Sequence, residues 1–134
     1  MVWTVLARIW RLQRALREEV EPELARLGLS GFAPWLLRVV KTYPHPMEAA
    51  RAMGLPAPTV SQMVRRLEAQ GFLKRSLDPK DLRRHRLELT PKGQEALKEA
   101  ERLLEAALSR RLAWLSEEER ALLVQLLGKL EEAE

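Results

Sequence analysis

The 134-residue sequence predicts a mainly α-helical fold with one small β-hairpin. Three observations predict it: apolar residues recur at steps of three and four, the step shortens to two after Gly71, and Pro and Gly separate the segments. A chain of this length can bury a core without metal or disulfide support. Because it has no cysteine, disulfides, thiol redox sensing and thiolate metal sites are excluded.

Four helices are expected before the hairpin. The first runs from Val2 to Leu27, and Pro22 should kink or restart it. The second begins with either Ser30 as N-cap or Pro34 in its first turn. Its inner face is predicted to consist of Trp35, Leu36, Val39 and Val40. A short third helix covers residues 46–53 and a fourth covers residues 58–70, with Gly54 and Gly71 as their respective C-terminal caps.

The fourth helix has one apolar and one polar face. Its apolar positions follow the i, i+3, i+4, i+7 pattern and are Val60, Met63, Val64 and Leu67. The opposite face carries Thr59, Ser61, Gln62, Arg65 and Arg66. We therefore expect this helix to rest on the core and to present its hydrogen-bonding side chains outward.

The segment after Gly71 predicts a hairpin followed by two helices. Residues 72–77 and 84–89 are expected to be strands, with residues 78–83 as a charged loop between them. Thr90 and Pro91 then start a helix, along one side of which lie Leu97, Leu104, Leu108 and Leu115. Ser116 to Glu119 is a capping box that opens the last helix, which is expected to bury Leu122, Leu123, Leu126, Leu127 and Leu130.

Positive charge is concentrated in the middle of the chain. Residues 41–92 contain eleven Lys/Arg and five Asp/Glu, a balance of +6, whereas the remaining residues have a balance of −2. A short helix, a tight turn and a capped helix followed by a basic hairpin form the outline of a winged helix-turn-helix. Because an α-helix fits the major groove, we expect Thr59, Ser61, Gln62 and Arg65 to approach base edges, and Arg66 to do so or to bind phosphate.

The hairpin is the second predicted contact with DNA. Its cations are Lys80, Arg83, Arg84 and Arg86. An arginine at a loop tip can enter a narrow minor groove, where the negative potential is strongest. We assign that role to Arg83 and expect Asp81 to hold its guanidinium in place. His85, in the same basic segment, is expected to lie at the surface or to contact phosphate.

Residues 78–93 resemble the wing of the MarR (multiple antibiotic resistance regulator) family, which reads D-P-x-D-x-R and ends in L-T-x-x-G. Residues 59–73 and 27–30 are also similar to that family, so the likeness spans nearly the whole chain. The resemblance implies a homodimer that binds pseudo-palindromic double-stranded DNA, as a repressor released by a small ligand. It also suggests an aromatic effector pocket lined by one or two of the tryptophans, which otherwise serve the core or an interface: Trp3, Trp10, Trp35 and Trp114.

The terminal helices carry more apolar surface than a small winged helix can cover. This surplus favours a dimer interface, with a larger monomeric core as the alternative. The expected interface residues are Leu6, Ile9, Leu122, Leu126 and Leu130. The chain is then one domain, with dimerisation helices at 1–28 and 91–134 around a DNA-binding part at 30–90.

Other functional classes have little support in the sequence. It contains no glycine-rich phosphate loop, nucleophile motif or metal-ligand cluster, so we expect neither an enzyme nor a cofactor. No transmembrane span or signal peptide is recognisable, which predicts a cytoplasmic protein without a membrane partner. Two alternatives to the regulator remain: a nonspecific architectural DNA-binding protein and a winged-helix protein-interaction module.

Overall fold

The computed structural model describes residues 1–133. In that range it contains six helices: α1 (Val2–Arg26), α2 (Ala33–Thr42), α3 (Pro46–Met53), α4 (Ala57–Ala69), α5 (Pro91–Leu112) and α6 (Glu117–Glu132). A single antiparallel sheet is formed by two strands, β1 (Leu73–Asp78) and β2 (Asp81–Leu89). The predicted mainly helical architecture with one hairpin, in the predicted order, is confirmed. No helix of the described residues is long and apolar enough to cross a membrane.

Local signals in the sequence place the starts of α2, α5 and α6. The Ser116 side chain accepts a hydrogen bond from the Glu119 amide, and the Glu119 carboxylate accepts one from the Ser116 amide, as the capping box predicts. Thr90 accepts a bond from the amide of Gly93 at 3.0 Å and so caps α5. Helix α2 starts with Pro34 in its first turn, not with Ser30 as its cap.

Two helix boundaries differ from the expected ones. Helix α1 continues through Pro22 to Arg26, so, of the two effects expected from this proline, a restart of the helix does not occur. A proline removes one amide donor, but the turns on either side of it can still hold a helix together. Helix α4 begins one residue earlier than predicted, at Ala57, so Pro58 lies inside its first turn, where proline has no amide bond to lose.

The chain divides into two compact units. The terminal unit consists of residues 1–19 and the chain from Leu104 onward, and the winged unit consists of residues 20–103. The winged unit contains residues 30–90, the part predicted to bind DNA, together with flanking segments in which Val20, Leu24 and Leu97 are buried. Each unit is described separately below.

The core of the winged unit includes residues of all its helices and of the hairpin. Leu36 and Leu37 of α2 are fully buried, as are Val60 and Val64 of α4. Trp35 is 43% exposed, so its predicted place on the inner face of α2 is wrong. Leu37 occupies that face instead, and the Trp35 ring lies beside Phe32 with 6.0 Å between the ring centroids.

The terminal unit leaves most of its apolar side chains uncovered. No residue of α6 in the described chain is buried, so the expectation that this helix buries its five leucines is wrong for the single chain. Trp3, Trp10 and Trp114 are exposed as well, and are not core residues. Ala107 is buried, and Glu19 forms ion pairs with Arg110 and Arg111.

The hairpin is longer than predicted and contains a bulge. Strand β1 reaches Asp78 and β2 starts at Asp81, so only Pro79 and Lys80 lie between them and the predicted loop over residues 78–83 is wrong. Leu77 pairs with His85, whereas the next residue of β1, Asp78, pairs with Asp81. Three residues of β2, 82–84, therefore face no residue of β1. A bulge of this kind locally bends the strand and turns side chains away from the ladder.

Candidate nucleic-acid interface

The polar face of α4 is held outward by the burial of its apolar face. Val60, Val64 and Leu67 are at most 1% exposed, which fixes the rotation of the helix on the core. Met63, predicted to share that face, is half-buried. On the outer side Ser61 is half-buried, and the remaining predicted contact residues are exposed: Thr59, Gln62, Arg65 and Arg66.

The two arginines of this face are free to bind an external anion. Neither Arg65 nor Arg66 has a carboxylate within ion-pair distance in residues 1–133, whereas Arg75 on β1 is paired with Glu68 at 2.9 Å. An unpaired guanidinium keeps five donors available for phosphate or guanine. The face therefore combines net positive charge with the neutral donors and acceptors of Thr59 and Gln62.

Arg83 projects from the bulge of the wing. Its side chain is 90% exposed, and the guanidinium Nε donates to Asp81 Oδ1 at 3.1 Å. The Arg83 backbone amide donates to the same oxygen, also at 3.1 Å. These two bonds, the side-chain bond first, lower the pKa of Asp81 below its ordinary value. The contact expected between Asp81 and Arg83 is thus present, and it limits the directions in which Arg83 can point.

The other predicted wing cations occupy different positions. Lys80 is exposed in the two-residue turn, whereas Arg84 donates to Glu48 of α3 at 3.0 Å. Arg86 is half-buried and its Nε atom is buried without a hydrogen-bond partner in the described chain. The structure therefore groups Lys80 and Arg83 at the outer end of the hairpin, and it directs Arg84 and Arg86 toward the protein.

Arg86 lines a cavity of about 610 Å³ in the winged unit. The wall is built from α2, β2 and α5, and its other charged members are Lys41, Glu88, Glu95, Lys98 and Glu101. Glu101 is bound by Arg38 at 2.9 Å and Glu88 lies 3.7 Å from Lys74. None of the four tryptophans lines this cavity, so it differs from the aromatic pocket that the sequence suggested.

The base of the wing is joined to the start of α5. The Thr90 hydroxyl donates to the Gly71 carbonyl at 2.5 Å, and Lys92 donates to the Gln70 carbonyl at 2.7 Å. A Cβ atom at Gly93 would overlap the backbone carbonyl of Phe72. The threonine and glycine of the L-T-x-x-G motif therefore serve close packing, which fixes the angle at which the hairpin leaves the helices.

Sequence reasoning missed a buried contact between the start of α3 and the turn of the wing. His45 Nε2 lies 3.1 Å from Asp78 Oδ2, and His45 Nδ1 lies 3.1 Å from the carbonyl oxygen of His85. Asp78 is the one buried charged residue of the described chain. Thirty-three positions separate the two partners, so no local pattern could reveal the pair. His85 itself is exposed at the surface, as expected.

Comparison with known proteins agrees with this geometry. The family model described as MarR family matches residues 27–84, which contain α2 to α4 and the outer part of the wing. The transcriptional regulator SlyA is 27% identical, with 96% of this chain and 92% of that chain covered and a TM-score of 0.83.

Two structures of CouR are also similar to this chain. The transcriptional repressor bound to a 23-mer DNA duplex is 26% identical, with 93% of this chain and 90% of that chain covered and a TM-score of 0.80. CouR from Rhodococcus jostii RHA1 bound to p-coumaroyl-CoA is 21% identical, with 94% and 90% covered and a TM-score of 0.82. The family match over residues 27–84, the predicted wing motif and the shared winged fold agree with one another: this chain is similar to the MarR family of transcription regulators.

Proposed function

We propose that this protein is a homodimeric, sequence-specific DNA-binding repressor of a pseudo-palindromic operator, and that a small ligand releases it. The observation that supports it best is that the winged unit carries both an outward polar face on α4 and an exposed, oriented arginine, Arg83, on the wing. A helix with free arginines and a glutamine can read base edges in the major groove, and Arg83 can enter the adjoining minor groove. The DNA complex of CouR, a relative 26% identical, supports this assignment.

Dimerisation is supported by the uncovered apolar side chains of the terminal helices. Ile9 of α1 is 40% exposed, and Leu122, Leu126 and Leu130 of α6 are between 47% and 63% exposed. They recur at a spacing of four residues, which places them along one stripe of α6. A stripe of this kind is stabilised by burial against a second copy, and with Leu6 these residues are the proposed interface. A dimer would also place two α4 helices on successive major grooves, one turn of DNA apart.

Release by a ligand is supported by the cavity beneath the wing. Its volume of about 610 Å³ lies in the usual range for small-molecule sites. Because it touches both β2 and α5, a ligand bound there would favour one wing position over another. It would lower DNA affinity only if it binds the unfavourable position more tightly.

The first experiment is selection of genomic duplex fragments by the purified protein at about 150 mM salt, where phosphate contacts alone are weakened. The proposal predicts enrichment of an inverted repeat. Retention of fragments without a common motif would contradict it in favour of an architectural DNA-binding protein. No retention at all would instead favour a protein-interaction module.

Arg83→Ala tests the role of the wing on the selected repeat. We expect weaker binding and a smaller dependence of affinity on salt, because one cation leaves the interface. Arg102→Ala is the matched control, since Arg102 is an exposed arginine of α5 that pairs with Glu99. Unchanged affinity and salt dependence in Arg83→Ala would remove this residue from the interface.

A further inference from the structure

His45 occupies the N-cap position of α3 without capping it. Its backbone is extended, and its side chain makes no hydrogen bond to the first turn of the helix. The ring instead lies between the turn of the wing and β2, with Nε2 facing Asp78 and Nδ1 facing the carbonyl oxygen of His85. His45 therefore does not act as an ordinary N-cap, but connects the start of α3 to the wing, which is distant in sequence.

The hydrogen-bond partners of His45 determine which form of the ring fits. A carbonyl oxygen and a carboxylate both accept hydrogen bonds, so each ring nitrogen faces an acceptor. A neutral imidazole has one N–H and can satisfy only one of them. The imidazolium has two N–H donors and satisfies both, and it also neutralises the buried carboxylate.

Because His45 and Asp78 are largely buried, loss of the contact between them is costly. The side chains of His45 and Asp78 are 14% and 9% exposed, so water replaces little of a lost contact. The other oxygen of Asp78 accepts a bond from the Lys80 amide at 2.9 Å and thereby closes the turn of the wing. Asp78 thus connects the turn that precedes the bulge to the helix-turn-helix through His45.

We propose that doubly protonated His45 is a positioning residue that holds the wing against α3, so that the DNA affinity of this protein falls as pH rises through the range in which histidine loses its proton. The two contacts of His45, with Asp78 and with the carbonyl oxygen of His85, are called the clasp below. This inference rests on the proposed DNA-binding function. While His45 contacts Asp78, the turn that precedes the bulge carrying Arg83 is held against the start of α3. When one N–H is lost, the ring faces an acceptor with a lone pair, and the turn of the wing loses this hold on α3. The bond between Arg84 and Glu48 and the packing at Gly93 remain, so the change is confined to the outer end of the hairpin.

Several other charged groups face this clasp. Glu48 of α3 and Arg84 of β2 pair with each other, so their charges largely compensate. Asp81, whose pKa is lowered chiefly by Arg83 and less by Arg84 and His45, adds negative charge near the ring. Lys80 and His85 are exposed on the same hairpin. Asp78 is the group in direct contact with the imidazole, so its charge is the one that matters most.

The protonation state can be measured without DNA. A two-bond proton–nitrogen correlation spectrum of the ¹⁵N-labelled full-length protein distinguishes an imidazolium from each neutral tautomer. The chain has two histidines, and the spectrum of His85→Gln assigns the remaining signals to His45. We expect both ring nitrogens of His45 to be protonated at pH 6. A single neutral tautomer at that pH would overturn the clasp.

The functional test is affinity for the selected inverted repeat between pH 6 and pH 8. Histidine is the ordinary side chain that changes charge in this interval, and one proton-linked group can change affinity by about tenfold over one pH unit. We expect wild type to bind about tenfold more weakly at pH 8. His45→Gln should bind at both pH values as weakly as wild type does at pH 8.

Asp78→Asn separates protonation from simple loss of structure. The asparagine oxygen can still accept from the Lys80 amide, and its NH₂ can donate to the lone pair of a neutral His45 ring. We therefore expect this variant to keep the wild-type affinity of pH 6 at both pH values. A pH dependence that persists in His45→Gln or Asp78→Asn would overturn the proposal. Absence of duplex binding by wild type at any pH would overturn the proposed function as well, whereas a neutral ring at pH 6 overturns the clasp alone.

Discussion

Helices α4 and α6 differ in what covers them. Both carry apolar residues at helical spacing, but α4 buries Val60, Val64 and Leu67 almost completely, whereas α6 buries no residue of the described chain. Leu122 and Leu126 of α6 remain about half exposed. The periodic pattern is similar in the two helices, so it identifies an apolar face in each case.

The difference shows that an apolar stripe in the sequence does not reveal whether it is buried by residues of the same chain or by another molecule. In the winged unit α4 packs against α3 and β1, and the polar face of α4 is oriented as a consequence. In the terminal unit the stripe is left uncovered, and under the proposed function a second copy of the chain covers it. DNA recognition and dimerisation would then depend on separate sets of side chains, which can be changed one at a time.

The largest effect is expected from a charge placed in the stripe of α6. Leu126→Asp should convert the dimer to a monomer in sedimentation velocity, because an unpaired carboxylate is costly to bury. Affinity for a two-half-site duplex should then fall by about 10²- to 10⁴-fold, since the second half-site no longer binds in the same complex. Val124→Asp is the control, because Val124 lies on another side of α6 and is 72% exposed. An unchanged dimer in Leu126→Asp would remove this stripe from the interface.

Helices α4 and α6 should also differ in how much a truncated leucine lowers the free energy of unfolding. Leu67→Ala deletes a side chain that is 1% exposed, and we expect the free energy of unfolding to fall by about 2–5 kcal/mol in urea titrations. The loss should be the same at every protein concentration. Leu126→Ala, at 47% exposure on α6, should cost less, and its cost should increase with dimer content. Equal and concentration-independent losses would contradict the distinction.

A smaller effect is expected from the outward face of α4. Arg65→Ala should weaken binding to the selected repeat by about 1–3 kcal/mol and relax its preference at one base pair, because a bidentate contact to guanine is lost. Thermal stability should stay close to that of wild type, since Arg65 is exposed and unpaired within residues 1–133. Competition assays with single-base variants of the repeat measure the preference. Uniform weakening across all variants would reassign Arg65 to phosphate contact.

The smallest effect concerns Asp81. Its pKa is lowered by the side-chain bond from Arg83 and then by the Arg83 amide, so the charged form is favoured in the folded state. The resulting stabilisation is present above the ordinary aspartate pKa of about 3.9 and is lost as pH falls through the lower folded value. A carbon-detected NMR titration should give a midpoint below that value in wild type. In Arg83→Ala the midpoint should move up. A midpoint that does not move would show that Arg83 does not bind Asp81 in solution.

Local signals predicted much of the fold and less of the site. The bounds of α3, the capping box at Ser116 and the cap at Thr90 follow from residues within one turn of each other, and the structure contains them as expected. The bulge in β2 was not predicted, because it depends on pairing with β1, and a run of charged residues reads as a loop. Arg83 therefore lies on a bulged strand and not at a loop tip.

The parts of the site that the sequence did not predict depend on contacts between segments that are distant in the chain. Arg84 and Arg86 belong to the predicted basic cluster, but Glu48 of α3 binds one and a cavity wall contains the other. The bond between His45 and Asp78 has the same origin, since it forms only when α3 and the wing have packed. Sequence spacing cannot report which of several nearby cations finds a partner in the folded chain.

The most direct test of the account is a spacing experiment on the selected inverted repeat. Inserting five base pairs between the half-sites rotates one of them by about half a turn, and ten base pairs restore the rotation. A dimer that reads two major grooves with α4 predicts a large loss of affinity with five added base pairs and a partial recovery with ten. Equal affinity for all three spacings would contradict the account, because it would mean that one copy of the chain reads the DNA alone.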